Sequence, residues 1–212
     1  MSQVKPLPIK AVDKKVLRKI AKEKMLTMSL ADIHDQSLSA THQLLEFLKS
    51  QSHSVRTLGL YAPLADEVQW NLSLEFREWM ESKIKSGMSV ALPLFSANEN
   101  AGMKFIKCAS LNLNELQPIE VFHKKMLVPT GNESLECTPD CLIIPGLGFD
   151  CSGFRLGRGK GYYDRYLFQM PGLKIGLTYD SLILDSLPAD EHDIPMDYVI
   201  TESGIRFRKL NQ

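Results

Sequence analysis

The run CLIIP at residues 141–145 is the feature that most limits the possible folds. It is continuously apolar and rich in β-branched residues, whereas a strand with one face in water alternates apolar and polar positions. A short continuous run of this kind is typical of a strand that is buried on both faces. We therefore predict a central strand in a parallel sheet that has helices on both sides.

Strand-like and helix-like segments alternate along the rest of the chain. Further strands are predicted at 55–63, 89–95, 103–108, 173–179 and 198–202. Amphipathic helices are predicted at 10–28, 30–50, 68–85 and 162–170, and Ser29 with Asp32 can cap the second of them. The segment 109–139, which contains three prolines, is predicted to be mostly loop. This order predicts one α/β domain over 1–212, a three-layer, mostly parallel sheet with helices on both faces.

Six of the 13 glycines lie between residues 145 and 166, in the sequence PGLGFDCSGFRLGRGKGYYDRY. Clustered glycines usually mark sharp turns or places where the backbone closely approaches another group. The stretch could be a flexible surface loop, or an anion-binding loop whose N–H groups and cations bind a phosphate. Arg155, Arg158, Lys160 and Arg165 provide the cations, and five aromatic residues in the same stretch argue against a linker. We favour the anion-binding interpretation.

The position of this glycine stretch also supports a ligand site. It follows the predicted central strand and precedes the helix at 162–170, so 146–161 should lie at the carboxyl ends of the strands, where open α/β sheets bind ligands. Two common nucleotide motifs do not fit. A Walker A loop would need glycine at Phe154 and Ser or Thr at Gly161, and GLGFDC at 146–151 ends in cysteine instead of the Gly or Ala of a dinucleotide fingerprint.

The composition limits the classes of partner. The 25 basic and 25 acidic residues give a formal net charge of zero, so no overall field attracts nucleic acid or a membrane surface. No apolar run reaches a membrane-spanning length, and no secretory leader is expected. The four cysteines form no CxxC pair and are expected to be reduced thiols without a metal. We predict a cytoplasmic monomer that acts on small molecules; the Lys-rich residues 5–24 leave a mitochondrial location open.

The run RLGRGKGYYDRYL at 155–167, with PGLGFD before it, resembles the signature of the 5-formyltetrahydrofolate cyclo-ligase family, also called methenyltetrahydrofolate synthetases. Three other segments resemble family elements in the same order along the chain. They are KKVLR at 14–18, YAPLADEV at 61–68 and EHDIPMDYVITE at 191–202. The resemblance therefore covers nearly the whole chain and is weakest over 109–139.

The resemblance implies an activity and a fold. Members of this family use ATP as a co-substrate and Mg²⁺ as a cofactor to convert 5-formyltetrahydrofolate into 5,10-methenyltetrahydrofolate, with release of ADP and phosphate. Their three-layer α/β fold is similar to the sugar-phosphate isomerase and CoA-transferase group. ATP phosphorylates the formyl oxygen, N10 attacks the activated carbon, and phosphate leaves. Such a reaction depends mainly on positioning and on charge stabilisation.

The resemblance also implies which residues bind ATP and which act in catalysis. Arg158 and Lys160 are implied to be catalytic, as cations that offset charge on the transferred phosphoryl group. The implied ATP-binding residues are Lys14, Lys15, Val16, Leu17, Arg18, Arg155, Leu156, Gly157, Arg158, Gly159, Lys160, Gly161, Tyr162 and Tyr163. One of the two tyrosines could instead belong to the core. Lys14 and Arg18 lie on one helical face, which by itself is ordinary for a solvated helix.

Folate and metal residues follow from the same resemblance. The implied folate-binding residues are Arg18, Ala62, Glu67, Arg158, Gly159, Lys160, Gly161 and Tyr162. Asp164 and Asp193 are implied to bind magnesium, which takes oxygen ligands and usually one or two carboxylates. Each aspartate also has a simpler interpretation. Asp164 could only offset a helix dipole, and Asp193 could only form a turn.

Two other classes of protein deserve comparison. A CoA-transferase or sugar-phosphate isomerase would share the fold, but the run RLGRGKGYYDRY distinguishes this chain from both. A non-catalytic nucleotide- or folate-binding relative would be expected to lose Lys160, Asp164 or Asp193, and all three are present. The sequence therefore favours the ATP-dependent cyclo-ligase.

Overall fold

The computed structural model describes residues 13–51, 55–95, 102–108, 116–121, 124–128 and 135–208. The helices are α1 (Lys14–Thr27), α2 (Leu30–Ser50), α3 (Leu74–Lys85) and α4 (Tyr162–Gln169). The strands are β1 (Thr57–Gly59), β2 (Ser89–Phe95), β3 (Met103–Cys108), β4 (Gln117–Val121), β5 (Lys124–Val128), β6 (Glu136–Cys137), β7 (Cys141–Pro145), β8 (Gly148–Asp150), β9 (Arg155–Leu156), β10 (Leu173–Leu177), β11 (Ile183–Leu184), β12 (Tyr198–Thr201) and β13 (Gly204–Arg208). Within this part of the chain, no helix is long and apolar enough to cross a membrane.

An eight-stranded sheet in the order β13-β12-β10-β7-β1-β2-β3-β6 forms the centre of the protein. The five strands from β12 to β2 are parallel to their neighbours in this group. The remaining strands, β13 at one end and β3 and β6 at the other, pair antiparallel. The run CLIIP is β7, between β10 and β1, so the prediction of a central parallel strand is confirmed.

Helices cover both faces of the sheet, as predicted. Cys141 and Ile143 of β7 point into a core cluster that contains buried residues of α1, α2 and α3. Leu142 and Ile144 point into a second cluster, with the buried residues of α4. Because successive side chains of a strand point to opposite faces, β7 is covered on both sides, and every one of its residues is buried.

Local sequence signals set the ends of the helices. Ser29 and Asp32 form the predicted capping box at the start of α2. The prediction of a helix from residue 68 was wrong, because α3 begins at Leu74. The indole Nε1 of Trp70 donates to the carbonyl of Tyr61, and the Tyr61 hydroxyl donates to the carbonyl of Val68. These tertiary bonds hold a 3₁₀ turn before the helix.

Two predictions for strands also need correction. The segment predicted to be loop contains an antiparallel hairpin of β4 and β5 as well as the short edge strand β6. The predicted strand at 55–63 is reduced to three residues of regular strand, β1. The backbone continues along β2 for one more bond, from Leu60 N to Ala91 O (2.9 Å), and then turns away to form part of a cavity.

Candidate active site

The glycine stretch connects β7 to α4 through the short strands β8 and β9, and it places arginine side chains against its own backbone. Gly159 and Gly161 have φ angles of +90° and +67°, a region that favours glycine, and Gly161 is the N-cap of α4. A Cβ on Gly157 would lie 2.8 Å from Nη1 of Arg155. A Cβ on Gly159 would lie 3.2 Å from Cζ of Arg18. These glycines therefore allow two guanidinium groups to approach the loop closely.

A cavity of about 220 Å³ opens at the carboxyl ends of β1, β2 and β7. Most of the predicted site residues outside α1 line it. They are Ala62, Glu67, Arg155, Gly157, Arg158, Gly159, Lys160, Gly161, Tyr162, Tyr163 and Asp164. The glycine stretch therefore lies at the predicted edge of the sheet and faces residues from the end of β1.

The arginine at the centre of the loop is held by two consecutive acids. Arg158 Nη1 and Nη2 donate to the two carboxylate oxygens of Asp66 over 2.9 and 2.5 Å. Nη2 also donates to Oε1 of Glu67 over 2.9 Å. Burial raises the pKa of Glu67, and the charge of Arg158 opposes that shift only in part. Burial alone would lower the pKa of Arg158, but the two acids outweigh it and raise that pKa, so the guanidinium stays charged.

A second arginine connects the start of the glycine loop to α4. Arg155 Nη2 donates to Oδ1 of Asp164 over 2.7 Å, and the guanidinium lies over the ring of Tyr163 at 5.1 Å. The Arg155 side chain is only 7% exposed, yet its Nε has no hydrogen-bond partner in the described part of the chain. Buried donors are rarely left unpaired. This arginine lines the cavity, so its positive charge lies beside any ligand there.

Tyr162 and Tyr163 are both buried and both line the cavity. The ring of Tyr162 packs against Phe95 with centroids 5.3 Å apart, and the guanidinium of Arg165 lies over its other side at 5.4 Å. The sequence suggested that one tyrosine contacts the ligand and the other belongs to the core. In the structure both are buried in the core and both face the cavity.

Only some of the predicted ATP-binding residues of helix α1 lie near the cavity. Arg18 Nε donates to the carbonyl of Gly157 over 2.8 Å. Lys15 and Val16 are exposed, and Leu17 packs against the core. Lys22, one turn beyond Arg18, lines the cavity and was not predicted. The regular spacing of 14, 18 and 22 is the signal that could have identified it.

The two predicted metal ligands lie in different surroundings. Asp164 lines the cavity with one oxygen bound to Arg155, and its Oδ2 has no partner among the described residues. Asp193 is not among the lining residues. Its Oδ2 accepts from Lys14 Nζ over 2.6 Å and from the backbone N of Asp190 over 2.8 Å, and Lys14 also donates to Asp190 over 2.8 Å.

The described residues contain one group of three metal-ligating side chains, and it lies away from the cavity. His42, Glu46 and Glu75 are exposed on α2 and α3, with ligand atoms within 4.8 Å of one another. Lys49 donates to Glu46 over 2.9 Å and to Glu75 over 3.2 Å. One ammonium group therefore already bridges these two acids.

Other cavity residues also escaped the sequence analysis. Asp66, next to a predicted residue, has no local pattern that indicates its partner 92 residues away. Pro93 and Phe95 form an apolar wall from β2, together with Tyr61 and Leu64 from the segment after β1. Their apolar character fitted strands and core equally well, so no signal distinguished them.

Fold and cavity together define an α/β protein with a cavity lined by both cations and acids at the carboxyl edge of its sheet. Residues 10–202 match the 5-formyltetrahydrofolate cyclo-ligase family. The chain is 27% identical over 206 residues to a mouse 5-formyltetrahydrofolate cyclo-ligase, covering 90% of this chain and 94% of the mouse protein. It is 42% identical over 151 residues to a 5-formyltetrahydrofolate cyclo-ligase from Mycolicibacterium smegmatis, covering 70% of this chain and 74% of the mycobacterial protein. A solved 5,10-methenyltetrahydrofolate synthetase from Mycoplasma pneumoniae superimposes with a TM-score of 0.68 at 26% identity, covering 90% of this chain and 99% of that one.

The chain belongs to the 5-formyltetrahydrofolate cyclo-ligase family. The resemblance noted from the glycine stretch is thereby confirmed. The predictions that the protein is an enzyme, a ligase of folate metabolism, and that it forms 5,10-methenyltetrahydrofolate from 5-formyltetrahydrofolate, are confirmed at the level of the family.

Proposed function

We propose that this protein uses ATP, with Mg²⁺, to convert 5-formyltetrahydrofolate into 5,10-methenyltetrahydrofolate, ADP and phosphate. The observation that carries the proposal is a single cavity lined by both Glu67 and the loop of Arg155, Arg158 and Lys160. A folate amide and a nucleotide phosphate must meet for this reaction. One cavity with an acid on one wall and cations on another can hold both.

The chemistry gives the cations of the loop a role. The formyl group on N5 is an amide, whose oxygen leaves poorly until ATP phosphorylates it. N10 then attacks the formyl carbon, and the C–O bond to phosphate breaks as the ring closes. Arg158 and Lys160 offset charge on the transferred phosphoryl group, and the charge of Arg155, which lines the same cavity, adds to theirs.

The folate lies on the side of the cavity formed by the end of β1. Glu67 is 7% exposed, so a ligand N–H that reaches its carboxylate makes a bond shielded from water. Ala62, Pro93 and Phe95 offer apolar surface for the flat pterin ring. Gly159, Gly161 and Tyr162 continue this surface towards the phosphates, and Arg18 contacts both substrates.

ATP lies along the glycine stretch and the start of α1. The small residues Gly157, Gly159 and Gly161 admit phosphate oxygens to the backbone, and Arg18 lies against the same loop. The remaining proposed contacts come from α1 and from the ends of the loop. They are Lys14, Lys15, Val16, Leu17, Leu156 and Tyr163.

The residues around Asp164 fit a magnesium ion. One oxygen of its carboxylate makes no bond to the described residues and lies where phosphates would, and Mg²⁺ takes one or two carboxylates together with substrate phosphates. When bound, the ion neutralises phosphate charge. Asp193 is proposed as the second carboxylate; its Oδ1 makes no bond to the described residues, whereas Oδ2 holds Lys14.

Several further properties belong to the same proposal. The protein acts on small molecules, as a monomer, in the cytoplasm, with a mitochondrial location left open. Its three-layer architecture is expected to be similar to the sugar-phosphate isomerase and CoA-transferase group. The zero net charge supports the absence of a nucleic-acid partner.

One assay tests the proposed function. Purified protein is mixed with 5-formyltetrahydrofolate, ATP and magnesium, and the near-ultraviolet absorbance of the methenyl product is followed. Product should form only when all three are present. Formation with EDTA, or with an ATP analogue that cannot be hydrolysed, would contradict the mechanism. A non-catalytic relative would bind ATP without producing the absorbance.

A further inference from the structure

Asp66 and Arg158 form a two-point ion pair across the cavity. Both terminal nitrogens of the guanidinium donate to the two carboxylate oxygens, over 2.9 and 2.5 Å. The side chains are 30% and 24% exposed, so water screens this pair only in part. A pair of this kind fixes both the position and the plane of the guanidinium, which a single contact would not do.

The pair determines which donors of Arg158 remain for a ligand. A guanidinium has five N–H donors in a rigid plane. Asp66 takes one from each terminal nitrogen, and Glu67 takes the second from Nη2. The Nε donor and one donor of Nη1 are left without an acceptor in the described part of the chain. Because the group is planar, the carboxylate of Asp66 sets the direction of these two donors.

The segment that carries Asp66 is itself held in place. Glu67 N donates to the carbonyl of Leu64 over 3.0 Å. The side-chain amide of Gln69 donates to the carbonyls of Leu64 and Glu67 over 2.6 and 2.7 Å. The buried hydroxyl of Tyr179 also donates to the carbonyl of Glu67, over 3.0 Å. The turn before α3 is therefore a rigid support for the acid.

We propose that Asp66 is a positioning residue for phosphoryl transfer, acting by fixing the guanidinium plane of Arg158 so that one of its two free donors points at the transferred phosphoryl group. This inference rests on the proposed function of Arg158. It is distinct from substrate binding by Glu67, because the role proposed for Asp66 is exerted through the arginine and not by contact with the folate. Orientation of this kind contributes to rate because misplacement by even an ångström weakens stabilisation of the transition state.

A double-mutant cycle tests the inference. Asp66→Asn keeps the size of the side chain but cannot form the charged two-point pair, and it should lower kcat about tenfold, with KM for 5-formyltetrahydrofolate changed less than about twofold. In an Arg158→Met background the same change should alter kcat by less than about twofold, since there is no guanidinium to aim. Asp66→Glu, which keeps the carboxylate, should retain more activity than Asp66→Asn.

Glu78→Gln is the matched control, because it removes one negative charge from an exposed position on α3. It should leave kcat at the wild-type value. If Asp66 had only a structural role, Asp66→Asn would lower the melting temperature. It would then reduce kcat by the same factor in the wild-type and Arg158→Met backgrounds. Equal losses in the two backgrounds would overturn the inference.

ATP binding by calorimetry separates this inference from the proposed function. A wild-type protein that binds ATP but makes no product would contradict the proposed function alone. Asp66→Asn should then still weaken ATP binding about threefold or more in the wild-type background and not in Arg158→Met. In such a protein, where binding is the only readout, equal ATP dissociation constants for wild type and Asp66→Asn would overturn the positioning role. A wild type that does not bind ATP would also overturn it.

Discussion

Arg155 Nη2 and Asp164 Oδ1 lie 2.7 Å apart, and this contact joins residues at the two ends of the glycine loop, nine positions apart. The loop between them is thereby closed into a ring that contains Arg158 and Lys160. A cation and an acid stand side by side at its base, and neither Nε of Arg155 nor Oδ2 of Asp164 has a partner among the described residues. The ring therefore places a positive and a negative charge next to each other at the wall of the cavity.

Lys160→Met is expected to lower kcat at least tenfold while changing KM for 5-formyltetrahydrofolate much less. The ammonium charge should matter most when negative charge shifts during phosphoryl transfer, and such contacts appear in kcat. Steady-state kinetics with varied folate at saturating ATP would measure both constants. Lys85→Met, an exposed lysine of α3, is the control. A normal kcat with weakened folate binding would assign Lys160 to the substrate instead.

Asp164→Asn and Asp193→Asn are each expected to raise the magnesium concentration needed for half-maximal rate and to lower kcat. Asparagine keeps the shape but removes a charge that a hard cation prefers. The double variant should be little worse than the poorer single variant, because residues that serve one ion act as a unit. Magnesium titrations of the rate would measure this.

Asp190→Asn is the matched control for the magnesium prediction. Asp190 also accepts a hydrogen bond from Lys14, but it is not a predicted ligand. Its variant should keep the wild-type magnesium requirement. If the fold-loss of kcat in the double variant of Asp164 and Asp193 equals the product of the two single losses, these two residues do not share an ion.

Gly159→Ala is expected to lower both stability and ATP affinity. At φ +90° an alanine should cost about 1–2 kcal/mol of unfolding free energy, and its Cβ would press on the guanidinium of Arg18 at 3.2 Å. Gly87→Ala is the matched control, since Gly87 has φ +99° and a Cβ there would meet nothing within 4 Å. Chemical denaturation should give similar stability losses for both, whereas KM for ATP should rise only for Gly159→Ala.

Alkaline pH is expected to destabilise the fold, in part through Cys108. Burial raises the pKa of its thiol from about 9 to about 11 in the folded protein. Between these values the unfolded chain loses the proton first, so the free energy of unfolding falls as pH rises through this window. Cys108→Ala should reduce the slope of unfolding free energy against pH from 9 to 11. Cys151→Ala, which removes an exposed thiol, is the matched control, and an equal slope in wild type and Cys108→Ala would contradict the prediction.

Short-range patterns predicted the parts of the fold that depend on neighbouring residues. The apolar run of β7, the capping box of Ser29 and the glycine stretch each contain their own physical reason for the structure they adopt. The position of the cavity followed from them, because a loop after a central parallel strand must lie at the carboxyl edge. The activity itself came from the resemblance and not from these patterns.

Contacts that no local sequence pattern indicates account for most of what the sequence left undetermined. Trp70 lies on a helical pattern, but its bond to the carbonyl of Tyr61 holds a 3₁₀ turn instead. Asp66 and Arg158 lie 92 residues apart, and no sequence pattern around either residue indicates that the two form a pair. The hairpin of β4 and β5 lies in the segment 109–139. The prolines of this segment led to the prediction of a loop, although parts of it form strands.

The pairing of β1 with β7 has a consequence for folding kinetics. Thr57 N bonds to the side chain of Asp140, 83 residues later, where the two strands meet. Contacts of such sequence separation form slowly, because a long loop must close before any stabilisation is gained. Asp66 and Glu67 follow β1, whereas Arg158 follows β7, so the two walls of the cavity meet only after this closure. During refolding, enzymatic activity should therefore return later than the helical circular dichroism signal. The length of this lag would measure how fast the two halves of the chain dock.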